Sequence, residues 1–253
     1  MPAIGLPRRL RTTVLRLLAV LGIAAAVVVL AYAAARYTSL FALEELEIAG
    51  GPPAVREAVR EAGAPFLGES LVGLDQDEVR RRLAALPNVR AVTVDRAFPH
   101  TLQIVVVPER ALAVVRNGRE AWVVSERGRV ISAAGADDRQ PVVWTTSEPD
   151  LTPGAVVESE NILLALQALR RLPRGLPERV DTARASYGEI TVVLASGLDI
   201  RLGGPHQLAL KLAVAARVLG TMAAEDRATL DYLDVSVPEK AVGGSTLDSQ
   251  LEG

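Results

Sequence analysis

A run of 19 residues without a charge, Leu17 to Ala35 (LLAVLGIAAAVVVLAYAAA), sets the first constraint on this chain. As a helix it is roughly 28 Å long, close to the hydrocarbon thickness of a bilayer. Its flanks are unequal: Arg8, Arg9, Arg11 and Arg16 precede it, and Glu44, Glu45 and Glu47 follow. Basic residues stay on the cytoplasmic side. The expected layout is therefore a cytoplasmic tail over 1–16, a transmembrane helix over 17–36, and extracytoplasmic domains beyond. The rival is a cleaved leader, for which AYAAA offers small residues. Leader apolar cores usually run only about 7–15 residues, which favours a retained anchor. The chain has no cysteine, so the outer domains have neither disulfides nor a lipidated thiol and must hold by packing.

Charge narrows the partners. The first 36 residues hold five arginines and no acid, which leaves 23 bases against 30 acids in the remainder. An acidic body argues against nucleic acid, whose binding depends on neutralising phosphates.

Beyond the apolar run, Leu43–Ile48 alternates as a short strand, and GGPP turns the chain. Pro53 suits a first helical position, and Val55, Ala58, Val59 and Ala62 make a helical stripe ending at Gly63. Asp75 and Glu78 have capping-box spacing ahead of a second helix that buries Val79, Leu83 and Leu86. Strands follow at Val89–Asp95 and Leu102–Val107 around a Phe-Pro-His turn. The order β-α-α-β-β makes a complete small unit over 41–109. Pro108 lacks an N–H and Glu109-Arg110 are costly to bury, so the break before ALAVV (Ala111 to Val115) reads as a domain junction.

The second region, 110–242, is β-rich with two helices. Strands are expected at Ala111–Val115, Ala121–Ser125, near Gly128 and Val130, at Gln140–Trp144, and as a hairpin, Ile190–Leu194 and Leu198–Leu202, around Ser196-Gly197. Helices are expected at Glu160–Leu172 and Gln207–Met222, and a closing strand at Leu230–Val237. Val180–Tyr187 alternates too poorly to assign. Residues 243–253 read as a polar, disordered tail. The fold class is α+β behind a single N-terminal transmembrane helix.

Catalytic parts are scarce. Of the two histidines, His100 lies in a hairpin turn and His206 in the loop GGPH. Neither belongs to a cluster with metal-ligand spacing, and no nucleophile elbow, zincin motif or Walker loop is present. RLGGPHQ superficially suggests a phosphate cradle, but Pro205 removes a donor that a cradle needs, and a plain strand-to-helix turn is the better reading. No enzyme activity, cofactor, metal or small-molecule substrate is expected.

With these elements in place the chain resembles the FtsQ/DivIB family of bacterial cell-division proteins, and its first unit resembles that family's POTRA domain. The resemblance is carried by LEIAG (Leu46 to Gly50), by RRRLAALPNVRAVTVDRAFPHTLQIVVV (Arg80 to Val107), by ALAVV and by WVVSERGRVI (Trp122 to Ile131). Lys211-Leu212 and LDVSVPEKAV (Leu233 to Val242) resemble the family's closing helix and strand. Pro108 shifts Glu109-Arg110 by one place, Ala111 stands where proline is common, and Ser125 stands where Asp is common. The resemblance implies a non-enzymatic membrane scaffold of the divisome, located at the septum. It implies recruitment of FtsB/DivIC-like and FtsL-like partners to regulate septal peptidoglycan synthesis, with a partner strand added near the C-terminal end. The implied contact residues are Leu233, Val235, Ser236, Val237, Glu239, Lys240 and Val242, with Val235 and Val237 on one face and Lys240 set to meet an acid; the alternative for Val235 and Val237 is that they pack into the core, the segment then offering its backbone. Arg96 is a possible contact of the first domain. A POTRA-bearing secretion component is disfavoured because about 140 residues with two helices do not supply a membrane barrel. A tethered hydrolase is disfavoured by the thin set of catalytic side chains.

Overall fold

The computed structural model describes residues 8–37, 39–118, 120–145 and 151–245. Helix α1, Arg8–Tyr37, is continuous over 30 residues. Its window Leu17–Ala34 has a mean hydropathy of 2.6 and none of its described residues is buried, and it is long and apolar enough to cross a membrane. The chain divides into two compact units, one ending at Pro108 and the other beginning at Glu109.

In the first unit, strand β1 (Glu45–Ala49) leads to helices α2 (Pro53–Gly63) and α3 (Gln76–Ala84), then to β2 (Val89–Ala97) and β3 (Thr101–Pro108). The three strands order β1-β3-β2, with β1 parallel and β2 antiparallel to the central β3. Alternation in β3 sends Leu102, Ile104 and Val106 into the core, where they meet Val55 and Val59 of α2 and Val79 and Leu83 of α3. Asp75 caps α3 as its spacing predicts, its Oδ1 accepting from the amides of Asp77 and Glu78. Gly50 follows β1 at φ 82°, where a Cβ would come within 2.3 Å of the Val106 carbonyl oxygen, so only glycine lets the chain leave the sheet there. Pro108 closes β3 opposite Val89, past the end of β1, so its missing N–H costs no inner ladder bond.

The second unit is built on a nine-stranded sheet. Its strands are β4 (Ala111–Asn117), β5 (Glu120–Ser125), β6 (Val130–Ala133), β7 (Val142–Trp144), β8 (Val180–Ser186), β9 (Glu189–Leu194), β10 (Asp199–Gly203), β11 (Tyr232–Asp234) and β12 (Val242–Gly244). Their order is β12-β11-β10-β9-β8-β7-β4-β5-β6. Helices α4 (Glu160–Leu169) and α5 (Leu208–Thr221) feed one core cluster with the sheet, through Ile162, Leu166 and Leu169 and through Leu208, Leu212 and Leu219.

Three differences from the sequence expectations have physical causes. Val180–Ser186 is a strand whose alternation is broken by a register shift between Val180 and Thr182. It joins β9 through Tyr187-Gly188, both at positive φ, as a two-residue hairpin requires. The closing strand is shorter than Leu230–Val237, because the Asp234 carboxylate accepts the Ser236 amide at 2.8 Å and turns the chain. Gly243 and Gly244 belong to β12 rather than to a tail; residues 246–253 lie outside the described residues.

The charged break at 109–110 is resolved by ion pairs to the β5–β6 turn. Glu109, its side chain 2% exposed, pairs with Arg127 at 2.6 Å, and Arg110 pairs with Glu126 at 3.4 Å. In that turn the buried Ser125 hydroxyl accepts from the amides of Arg127 and Arg129, so serine still supplies the acceptor that an Asp would bring. Removing a partner leaves a buried charge uncompensated. Arg127→Ala is expected to lower unfolding stability by about 1–3 kcal/mol, below the value for a fully enclosed pair because the guanidinium is half in water. Adding Glu109→Gln should restore more than half of that loss. Both tryptophans lie in this unit, so denaturant titration followed by their fluorescence reads it; an Arg127→Ala midpoint equal to the native one would contradict the assignment.

Candidate functional site

An open sheet ends in two rows of backbone donors and acceptors, and the two ends of this one differ. Where β6 begins, the chain covers its own rim. The Val130 amide donates to Ala155 O and the Gly154 amide to Val130 O, both at 2.9 Å, and the Val157 amide reaches Gly128 O at 2.8 Å. At the other end β11 is held on both sides. It runs parallel to β10 (Ile200 opposite Leu233) and antiparallel to β12 (Leu233 opposite Gly243). Beyond β12 no strand pairs among the described residues.

The edge is assembled from small and aromatic side chains. Leu233 is buried toward the core, and alternation turns Tyr232 and Asp234 to the opposite face. There the Tyr232 ring lies between the Arg201 guanidinium, 4.1 Å from its centroid, and the backbone of Gly244. A Cβ on Gly244 would sit 2.9 Å from the Tyr232 hydroxyl, and one on Gly243 would sit 3.2 Å from the Leu230 side chain. The two glycines therefore let β12 lie flat against β11. At the far end of β10 the buried Lys211 ammonium donates to the carbonyls of Leu202 and Gly204 at 2.7 and 2.9 Å. It fills the loop that resembled a phosphate cradle and ties α5 to the sheet. A cleft of 350 Å³ beside this end is lined by Glu189, Thr191, Arg201, Asp234 and Ser236, a mixed-charge surface adjoining the edge.

The residues singled out in the sequence fall into two sets. Leu233 and Val235 are buried, the latter donating its amide to Arg201 O at 2.9 Å, so their side chains pack the core and are not offered to a partner. Ser236, Val237, Glu239, Lys240 and Val242 are exposed. Val235 and Val237 do not share a face, because the strand ends at Asp234 and the chain turns through 236–240, with the Lys240 amide donating to Val237 O. Tyr232, Arg201, Gly243 and Gly244 escaped the sequence reading. Two glycines ahead of a polar end carry no strand signal, and the Arg201–Tyr232 stack depends on a parallel register between segments 31 residues apart.

The remaining candidates serve the first unit. Arg96 donates to the Leu74 carbonyl at 2.5 Å, joining β2 to the entry of α3. His100 Nδ1 lies 3.0 Å from Ala42 O and 3.9 Å from Glu44. His206 is exposed in the loop before α5.

Comparison with known proteins gives two matches to family models. Residues 41–110 match the model described as POTRA domain, FtsQ-type, and residues 113–236 match Cell division protein FtsQ/DivIB, C-terminal. The second match stops at Ser236, six residues before β12. The chain is similar to proteins named cell division protein FtsQ from several bacteria. That of Streptomyces bingchenggensis is 29% identical over 238 residues, covering 91% of this chain and 87% of its own. That of Streptomyces coelicolor is 28% identical over 211 residues, covering 79% and 77%. That of Myxococcus fulvus is 30% identical over 189 residues, covering 71% and 66%.

The packing of Gly244 on Tyr232 makes a direct prediction. The Asp231 amide donates to Gly244 O at 3.1 Å. Gly244→Val should detach β12 and speed hydrogen exchange of that amide about tenfold, leaving amides of β9 unchanged. Unaltered exchange at Asp231 would show that β12 is not held as described.

Proposed function

The chain belongs to the FtsQ/DivIB family of bacterial cell-division proteins, and from that premise we propose that it is a non-enzymatic, single-pass membrane scaffold. In this reading it recruits FtsB/DivIC-like and FtsL-like partners by strand addition at β12 and so regulates septal peptidoglycan synthesis. The N-terminus is cytoplasmic, both units are extracytoplasmic, and the protein works at the septum. The observation that carries the reading is the asymmetry of the nine-stranded sheet, with one rim bonded at its start, Gly128 to Val130, by the chain's own 154–157 segment and the other ending, among the described residues, in a three-residue strand with no outer neighbour. Strand addition draws affinity from backbone hydrogen bonds and specificity from flanking side chains. Val242 and Val237, 55% and 51% exposed, supply apolar contacts beside that edge. Lys240 and Glu239 supply charges for a partner's side chains to meet. Leu233 and Val235 act from beneath, holding the edge against the core.

The role of scaffold fits the placement of the two imidazoles. His100 and His206 belong to separate units, the first beside a backbone carbonyl and the second on an exposed loop. Arg96, with its guanidinium on the Leu74 carbonyl, supports the architecture of the first unit and is the weaker candidate for a partner contact.

Photo-crosslinking in dividing cells tests the proposal. With p-benzoylphenylalanine at Val242, at Thr93 on the outer strand β2, or at Tyr187 in a remote hairpin, the small single-pass division proteins should be trapped from position 242 alone. Trapping from Thr93 with none from Val242 would move the interface to the first unit and overturn the β12 assignment.

A further inference from the structure

Past α1, the first unit gathers exposed apolar side chains at the end where the chain enters it, and we propose that this end rests in the interface of the outer leaflet as a lipid contact. The inference depends on α1 spanning the bilayer and adds a second point of membrane contact to it. The side chains are Leu40, 65% exposed, Leu67, 45%, and Phe98, 55%.

They come from three segments distant in sequence, and backbone bonds converge them on residues 41–45. The Leu71 amide donates to Phe41 O, the Gly68 amide to Leu43 O and the Leu43 amide to Glu69 O, all at 2.8 Å, which fixes the loop bearing Leu67. The amides of Glu44 and Glu45 both donate to His100 O, at 2.9 and 3.2 Å, and His100 Nδ1 lies 3.0 Å from Ala42 O, which fixes the turn bearing Phe98. The rings of Phe41 and Phe98 meet edge to face with centroids 5.7 Å apart.

Chain length then limits how far this cluster can stand from the membrane. The apolar window ends at Ala34 and α1 at Tyr37. Three helical residues advance about 4.5 Å, and the three from Tyr37 to Leu40 reach at most about 10 Å. Leu40 therefore lies within about 15 Å of the hydrocarbon edge, with a headgroup layer of about 5–8 Å between. Aromatic and aliphatic side chains partition favourably into that layer. Glu44 and Glu69 beside them are exposed, so the contact is apolar and has no polybasic component. It is accordingly a contact with the acyl–headgroup boundary of any bilayer rather than with anionic lipid.

The chain has no cysteine, so single-site labelling needs no prior substitution. Full-length Leu40→Cys, Leu67→Cys and Phe98→Cys would carry an NBD label in phosphatidylcholine vesicles with and without nitroxide lipid. Ala26→Cys within α1 serves as the lipid reference, and Tyr187→Cys, at a fully exposed turn, as the water reference. Labels at 40, 67 and 98 should be blue-shifted and quenched at least about threefold more than at 187, equally with added phosphatidylglycerol. Quenching at 26 with none above the water reference at 40, 67 and 98 would overturn the lipid contact and leave the anchor standing. Absence of quenching at 26 as well would remove both.

Discussion

Backbone hydrogen bonding does not stop where a chain runs out of strands. A sheet that fails to close leaves a row of N–H and C=O groups at each rim, and a protein must hide, blunt or use them. In the second unit one rim is bonded at its start, Gly128 to Val130, by the chain's own 154–157 segment, and the other ends, among the described residues, in β12, three residues long and preceded by a tight turn. In the proposed reading the shortness of β12 limits unwanted pairing while leaving a template for a partner strand. A side-chain surface would require particular residues to be kept, whereas a backbone rim requires only that the strand beneath be rigid. That rigidity comes from Leu233 and Val235 in the core, from Tyr232 against Arg201, and from glycines that allow close approach.

Among the described residues the Lys211 ammonium and the Glu109 carboxylate are buried, and each has a structural partner. Lys211 reaches the carbonyls of Leu202 and Gly204, and Glu109 meets Arg127. Both sit where a strand hands over to something else, one at the exit from β10 and one at the start of the second unit. Unpaired, either would disfavour the fold. Paired, each fixes the path of the chain at a point where apolar periodicity has lapsed.

Local signals were the legible part of the sequence. Pro53 and the Asp75 cap marked α2 and α3, and strict alternation marked β3. Proline, glutamate and arginine at 108–110 marked a break in apolar character. Non-local geometry was not legible. β8 hid behind a bulge that shifts Val180 out of phase with Ala183, and β12 hid in a Val-Gly-Gly whose strand character exists only against Tyr232. The segment Leu233 to Val242 runs beside the open end of the sheet, but Val235 and Val237 do not share a face as expected. Asp234 ends the strand by capturing the Ser236 amide, and that choice by a single carboxylate sends Val235 inward and Val237 out. A helix long and apolar enough to cross a membrane was legible in the run Leu17 to Ala34, while the convergence of Leu40, Leu67 and Phe98 emerges only once three loops are brought together.

Hydrogen exchange on the full-length protein, with and without a purified FtsB/DivIC-like partner, bears most directly on the rim at β12. The account predicts that the amide of Gly243, which alternation turns away from β11, exchanges rapidly alone and gains strong protection on binding, while those of β6 and β2 stay as they were. Protection that arises on β2 or β6 with β12 unchanged would contradict it.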